Sequence, residues 1–520
     1  MFCSLVFDTE DYTSPEHWGM DDIPKWCAEI MSEEGITGTF LVIGNKARSI
    51  RDRGRKDVIA AMRKHEIGLH TQFGSDHPTL TESQAPLEWH EAVEAAELRE
   101  GPGYRELGEI FDTNIGSFST HGASQSAPMH YVAGAKFDRP WLYSFAAAPA
   151  NPVCWYDYCF QYGPYGLGIG SEGNYSRPDQ IDAVLQRWEG EVEAFHTAGV
   201  PWIQIFMAHP LMIRAKQFND ALNYADGKNR IPWVTPEMRT LEEMEVARTQ
   251  FRRVVRWIAK HPKLTNATLY DTFRKLGLRK AKITRAELAA YATVAHRHES
   301  IRTGYSFSPG EALLAMAEGL LAKILPQATQ VREVLGPIGE TPRMPDNYLT
   351  YLGAEDLRKL ARGIMSHFHG TGMLPTALPC PNTGVAGGRM GLPTIYHVLC
   401  DGWLQTNEQR KDVRVRVPHI VNRYPQYTDE VEARFRRAWL NWPIHSIDMP
   451  LENLSRHVRL QCWTCKNLYD GKDKPFYPPG QEPGAVTVRS TPAARNSTAS
   501  QGSHSGQGSQ NGGKRQRRKR

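Results

Sequence analysis

Along the first half of the chain, short apolar runs alternate with longer stretches in which apolar residues recur every three or four positions. The runs are Cys3–Phe7, Thr39–Ile43, Ile67–Leu69, Ile115–Phe118, Trp141–Phe145 and Trp202–Ala208. The periodic stretches are Asp22–Glu34, Lys56–His65, Glu82–Phe111, Asp179–Ala198 and Pro236–His261. Short unbroken runs fit strands buried on both faces, and the longer periodic ones fit amphipathic helices. Their alternation predicts βα units around a parallel sheet, over a length that fits a barrel.

From about Ala281 the pattern turns to helices without strands. Thr284 with Glu287, and Ser308 with Glu311, read as capping boxes, each opening an Ala/Leu-rich amphipathic run. Further helices are expected at Ala354–Phe368, Leu392–Thr406 and Asp429–Trp442, with a lone strand at Val413–Val417. The expected organisation is an α/β unit over residues 1–278, a mainly α-helical domain over 281–470, and a disordered tail over 471–520. The tail is rich in Pro, Gly, Ser, Gln and Asn and ends in a basic cluster, a composition that cannot bury a core.

Composition changes this picture little. A chain of 520 residues is too long for one ordinary core. The formal net charge of +5 misleads, because Lys514–Arg520 holds six positive charges; 5 minus 6 leaves −1 for the rest. Only the tail is basic, so nucleic acid is not expected as a partner. Eight cysteines scattered through the chain form no dense disulfide framework, which suits a reducing compartment. No secretory signal opens the sequence, and the apolar stretch Val200–Ile213 falls short of the roughly 20 residues of a spanning helix. The expectation is a cytoplasmic protein without a membrane segment.

In barrels of this kind chemistry sits where strands end. Asp8, His70, His121 and His209 each fall at or just beyond the end of a predicted strand. Asp8, Glu10 and Asp11 put three carboxylates within four residues, a crowding that a cation or a shared proton relieves. His70 closes one strand and His77 precedes Pro78 seven residues later, so two imidazoles are available to one metal. Two imidazoles and a carboxylate leave a metal an open position for water, as catalytic sites do. Three other features are set aside. Cys462 and Cys465 form a CxxC without a second pair, His367 and His369 flank an aromatic at a helix end, and the glycines of 163–170 do not open a helix.

The ordered set of motifs is similar to the polysaccharide-deacetylase (NodB-homology) superfamily over roughly residues 1–275. It comprises the acidic strand end, Thr37–Gly44, Glu66–Thr71 with His77-Pro78, and Phe206–Pro210. The resemblance implies an irregular, partly open (β/α) barrel that binds a divalent metal, usually zinc, and hydrolyses acyl groups on glycans. Some relatives cleave amide bonds of small nitrogen-rich rings. It also implies that Asp8 is the general base and His209 the acid that protonates the leaving group. By the same resemblance Glu10, with Asp11 as rival, is the metal carboxylate, and His70 and His77 are the histidine ligands. Three departures stand out. The acidic motif is Asp8-Thr9-Glu10-Asp11, Gly74 occupies the position four after His70, and Ser117–Gly122 replaces an arginine-and-proline motif. His121 is expected to bind substrate or complete the metal shell, and Asp157 to assist at the substrate site. The expected function is a metal-dependent C–N hydrolase acting on a sugar or small amide. The alternative is a degenerate barrel that binds glycan or protein without turnover. The helical domain is a candidate for substrate binding, homo-oligomer formation or covering the barrel mouth.

Overall fold

The computed structural model describes residues 1–143, 153–155, 159–161, 166–276, 280–297, 301, 306–342, 351–381, 388–418, 424–425, 428–446 and 448–467. The apolar runs become strands β1 (Phe2–Thr9), β2 (Gly38–Val42), β3 (Glu66–Leu69), β4 (Ser117–Ser119) and β5 (Trp141–Tyr143). They are followed by β6 (Val153–Trp155), β7 (Cys159–Gln161), β8 (Gly166–Gly168), β9 (Trp202–Ala208) and β10 (Thr265–Asn266). The sheet runs β6-β7-β5-β4-β3-β2-β1-β9-β8, with β10 beside β1. Every pairing from β8 to β7 is parallel, and β6 joins β7 antiparallel. This is the α/β class with a largely parallel sheet. Parallel strands in the middle of such a sheet are covered on both faces, which is why β1 reads as a continuous apolar run.

Parallel pairing brings the C-terminal ends of β1, β3, β4 and β9 to one edge. The β1–β9 register slips between Val6 and Phe7, so that Phe7 faces Ala208 and Met207 is the extra residue. A bulge turns the strand where it occurs, and here it sits one residue from Asp8 and two from His209.

Helix limits follow local chemistry. The stretch expected as one helix over Glu82–Phe111 is two, Leu80–Gln84 and Trp89–Phe111. Pro86 stops the first helix, because it has no N–H to donate to the preceding turn and its ring crowds the carbonyl four residues back. The helix expected from Pro236 begins at Leu241, where the Thr240 side chain and Glu243 form a capping box. The helix Gly44–Asp52 carries only Ala47 and Ile50 as apolar residues, too few to give a periodic signal.

A second hydrophobic cluster is built by the helices Arg285–Arg297, Pro309–Leu321, Ala354–Thr371 and Leu392–Asn407. Both expected capping boxes form there: Glu287 N donates to Thr284 Oγ1 at 3.2 Å, and Glu311 N to Ser308 Oγ at 3.2 Å. The region is not free of strands. β11 (Lys282–Thr284) pairs β12 (Ala328–Gln330), β13 (Tyr351–Gly353) pairs β16 (Arg414–Arg416), and β14 (Ala377–Pro379) pairs β15 (Arg389–Gly391). Strands of three residues are too short to show alternation.

While Trp463 joins the second cluster, two helices from the stretch expected with the helical part bury apolar residues in the first. The helices Thr428–Asn441 and Glu452–Cys462 bury Val431, Phe435, Trp439, Leu454 and Val458 there. The last strand, β17 (Lys466–Asn467), then adds to the main sheet antiparallel to β6. Buried polar contacts lock the return: Trp439 Nε1 donates to Gln125 O at 3.2 Å, and His130 Nδ1 lies 3.2 Å from Gln461 Oε1. Among the described residues, no helix is long and apolar enough to cross a membrane. The tail from residue 468 onward lies outside the described residues.

Candidate metal and catalytic site

Asp8 stands in the last turn of β1 and Glu10 just past it. His70 follows β3, His121 follows β4 by two residues, and His209 follows β9. Glu10 Oε1 lies 3.1 Å from His70 Nε2 and 3.2 Å from His121 Nε2. These three side chains are buried, and their ligand atoms lie within 4.8 Å of one another. Asp8, Glu10 and His209 form a second such group sharing Glu10. Asp8 Oδ2 is 3.8 Å from both His70 Nε2 and His209 Nε2.

This donor set fits a divalent ion. A tetrahedral ion with bonds of about 2.0–2.1 Å holds its ligands roughly 3.3–3.4 Å apart, close to the separations here. Glu10 Oε2 is buried with no hydrogen-bond partner. A buried polar atom left unpaired costs about 1–3 kcal/mol, so an ion that engages the carboxylate relieves a real penalty. The Glu10/His70/His121 group could therefore bind a metal.

Supporting contacts fix the imidazoles. His121 Nδ1 is 3.1 Å from Ser75 Oγ, and Ser75 is itself hydrogen-bonded to Asp220. If His121 Nδ1–H donates to Ser75 and Ser75 donates to Asp220, the Nε2 lone pair is left facing Glu10. His209 Nδ1 lies 2.8 Å from Glu172 Oε1, which also accepts from the His209 backbone N–H at 3.2 Å. Burial opposes the charge of Glu10, yet His121 and His70 hold its carboxyl well below the usual range. Burial likewise disfavours the His209 proton, but the Glu172 hydrogen bond overrides it and raises the imidazole to about 10. His121 is raised to about 9, where Glu10 and Asp220 outweigh desolvation. Burial pushes Asp8 upward.

Two expected ligands are not brought to the cluster. His77 Nδ1 lies 2.7 Å from Glu82 Oε2 and its Nε2 2.8 Å from Tyr224 O, so both ring nitrogens are engaged elsewhere. Asp11 Oδ1 accepts from Thr13 N at 2.9 Å, Thr13 Oγ1 at 3.0 Å and Ser14 N at 3.2 Å, so it organises its own turn. His121, expected to bind substrate or complete the metal shell, stands where a second imidazole ligand would. Gly74 has a φ of 57°, and a Cβ there would lie 3.0 Å from Ile43 Cδ1. A histidine would be strained at that backbone and crowded by Ile43. Asp157 lies outside the described residues. Sequence reasoning missed Glu172, which opens a five-residue 3-10 helix, Asp220 in the five-residue helix Asn219–Asn223, and Ser75 in the loop after β3, all in segments too short to carry a periodic signal.

No family model and no curated protein matches the chain. Its structure is similar over about half its length to polysaccharide deacetylases of the CE4 type and to pseudoenzymes of that family. The Streptomyces lividans family 4 carbohydrate esterase, in complex with acetate, matches at 10% identity over 52% of this chain and 92% of that one, with a TM-score of 0.27. A wild-type CE4 family pseudoenzyme from Bacillus anthracis matches at 13% identity over 52% of this chain and 65% of that one, with a TM-score of 0.29. The Puue allantoinase matches at 11% identity over 53% and 89% of the two chains, with a TM-score of 0.34. Likenesses this distant carry no argument about this chain. The case for chemistry rests on the residues.

Proposed function

We propose that this chain is a metal-dependent hydrolase of C–N amide bonds, deacetylase-like, acting on an N-acylated sugar or small amide. The observation that carries the reading is the buried Glu10/His70/His121 group beside Asp8 and His209. Two histidines and a carboxylate suit zinc and leave a position open. What a divalent ion supplies when bound is Lewis acidity, lowering a water's pKa from about 15.7 towards about 7 and polarising the carbonyl.

The remaining work falls to the chain's own groups. Asp8 takes a proton from the attacking water, and burial makes it a stronger base than an ordinary aspartate. The water oxygen bonds to the acyl carbon as the C–N bond breaks. His209 Nε2, protonated and 3.8 Å from Asp8 Oδ2, delivers its proton to the departing nitrogen. Glu172 keeps that imidazole charged and aimed. The products are a carboxylic acid and an amine.

The test is acyl release from N-acetylated sugars and simple N-acetyl amides by zinc-loaded protein, before and after chelation. Chelator-sensitive release that is lost in His70→Ala supports the reading. No release from any substrate by loaded protein would overturn it, in favour of a barrel that binds without turnover.

A further inference from the structure

Glu10 belongs to two groups of ligand atoms at once. Its Oε1 faces the imidazoles of His70 and His121, while its Oε2 is buried without a hydrogen-bond partner. The same side chain also stands with Asp8 and His209, all three offering ligand atoms within 4.8 Å of one another. A carboxylate so placed can bridge two divalent ions, one on each oxygen, and ions in such pairs sit about 3.5–4 Å apart.

Three observations fit an ion between Asp8, Glu10 and His209. The first is orientation. A histidine that binds a metal almost always holds its other ring nitrogen on a carboxylate, a carbonyl or water. His209 does so, with Nδ1 2.8 Å from Glu172 Oε1 and Nε2 3.8 Å from Asp8 Oδ2. The second is charge. Asp8, Glu10, Glu172 and Asp220 put four carboxylates around the imidazoles, more negative charge than one divalent ion neutralises. The third is access. The side chains of Asp8 and His209 are 19% and 26% exposed, whereas Glu10, His70 and His121 are buried, so an ion from solution meets the outer pair. The outer position is the weaker one. A tetrahedral ion holds its ligands roughly 3.3–3.4 Å apart, so the Asp8–His209 pair must close in, and an ion there is repelled by its inner neighbour.

We propose that Asp8, Glu10 and His209 form a second, weaker divalent-ion site, and that an ion bound there switches the enzyme off. The second ion takes the place of the proton on His209 Nε2, releases that proton to solvent, and occupies the Asp8 carboxylate. The acid and the base are then both blocked. The inhibitory role rests on the hydrolase reading above; the ion site itself does not.

The experiment titrates metal-free, full-length protein with zinc against a chelating dye, and follows acetate release from N-acetylglucosamine and N-acetylethanolamine over the same range. Two ions per chain are expected, the second bound about 100-fold more weakly. Release should rise with the first ion and fall by about 100-fold as the second binds, since positioned acid and base groups are worth that much. His209→Ala and Asp8→Asn should each lose the second ion and keep the first. Glu172→Gln should weaken only the second, by about 10–100-fold. Cobalt gives an independent readout. Ions bridged by Glu10 should couple magnetically, so the EPR signal per ion should drop at the second equivalent in the wild type but not in His209→Ala. A single ion in the wild type at millimolar zinc, or a second ion that survives in both His209→Ala and Asp8→Asn, would overturn the site. Undiminished release with both ions bound would overturn its inhibitory role. Two ions with no release at any zinc level would sink the hydrolase reading and that role with it, and the ion site would stand.

Discussion

His209 shows how one buried contact decides a residue's chemistry. An imidazole taken out of water loses its proton unless a carboxylate holds it, and Glu172 does so at 2.8 Å. An acid must be protonated to act, so activity is expected to fall only as pH rises through about 10, the value to which Glu172 lifts His209. Glu172→Gln removes that charge, and the alkaline limb of the rate profile should move down by at least one pH unit. An unmoved limb in a folded variant would show that another group donates the proton. Ser75→Ala should weaken zinc binding by about 10–100-fold, the usual cost of removing the group that orients a metal-binding histidine. Unchanged affinity, measured by competition with a chelating dye, would count against the Ser75–Asp220 relay. Asp8, His70, His121 and His209 were legible as positions because each falls at or just beyond the end of an apolar run, and Glu10 through its acidic cluster and the family resemblance. Whether His121 meets substrate or metal stayed open, since nothing local reveals which nitrogens converge. His77 misled because spacing says nothing about which way a loop turns after Gly74.

Between elements, the clearest tension is on the helix Trp89–Phe111. Its Glu100 is buried and accepts from Gln72 N at 2.6 Å, pinning the loop that leaves β3 past His70. Burial pushes this carboxyl from 4.5 up to about 7. Between those pH values the folded chain binds a proton that the unfolded chain lacks. Stability therefore falls as pH rises through that window and stays low above it. Glu100→Gln should abolish that slope and raise stability at pH 8 by about 1–3 kcal/mol, at 1.36 kcal/mol per pKa unit. Denaturant unfolding at pH 5 and pH 8 reads this directly, and a variant less stable at both would contradict it. The main strands and most long helices of the first half were legible from apolar spacing. Of the three-residue strands, β4, β5 and β16 fell on expected runs while β6, β7, β8 and β11 to β15 did not, and the break at Pro86 was hidden because the helical pattern runs on beyond it.

At the scale of the molecule, the chain leaves the α/β unit at about residue 276, builds a second hydrophobic cluster, and returns to finish the first. Sequence patterning predicts the helix Asp429–Trp442 but cannot say which core its apolar face enters, and it leaves the helix Glu452–Cys462 unanticipated. The seam they make is rich in buried neutral histidines. Burial lowers His130 to about 3 and both His445 and His457 to about 4. The unfolded chain takes up protons near 6.5 and the folded chain only below 4, so stability is lost as pH falls beneath 6.5. Proteolysis within 428–467 should accelerate at pH 5 relative to pH 7, whereas cleavage at equal rates would contradict that account. The central claim, that Glu10, His70 and His121 form the metal centre, is tested most directly by elemental analysis of the purified protein and three variants. The account predicts about one divalent ion per chain in the wild type and in His77→Ala, and loss of that ion in His70→Ala and His121→Ala. An ion lost in His77→Ala but kept in His121→Ala, or no ion in the wild type after zinc loading, would contradict it.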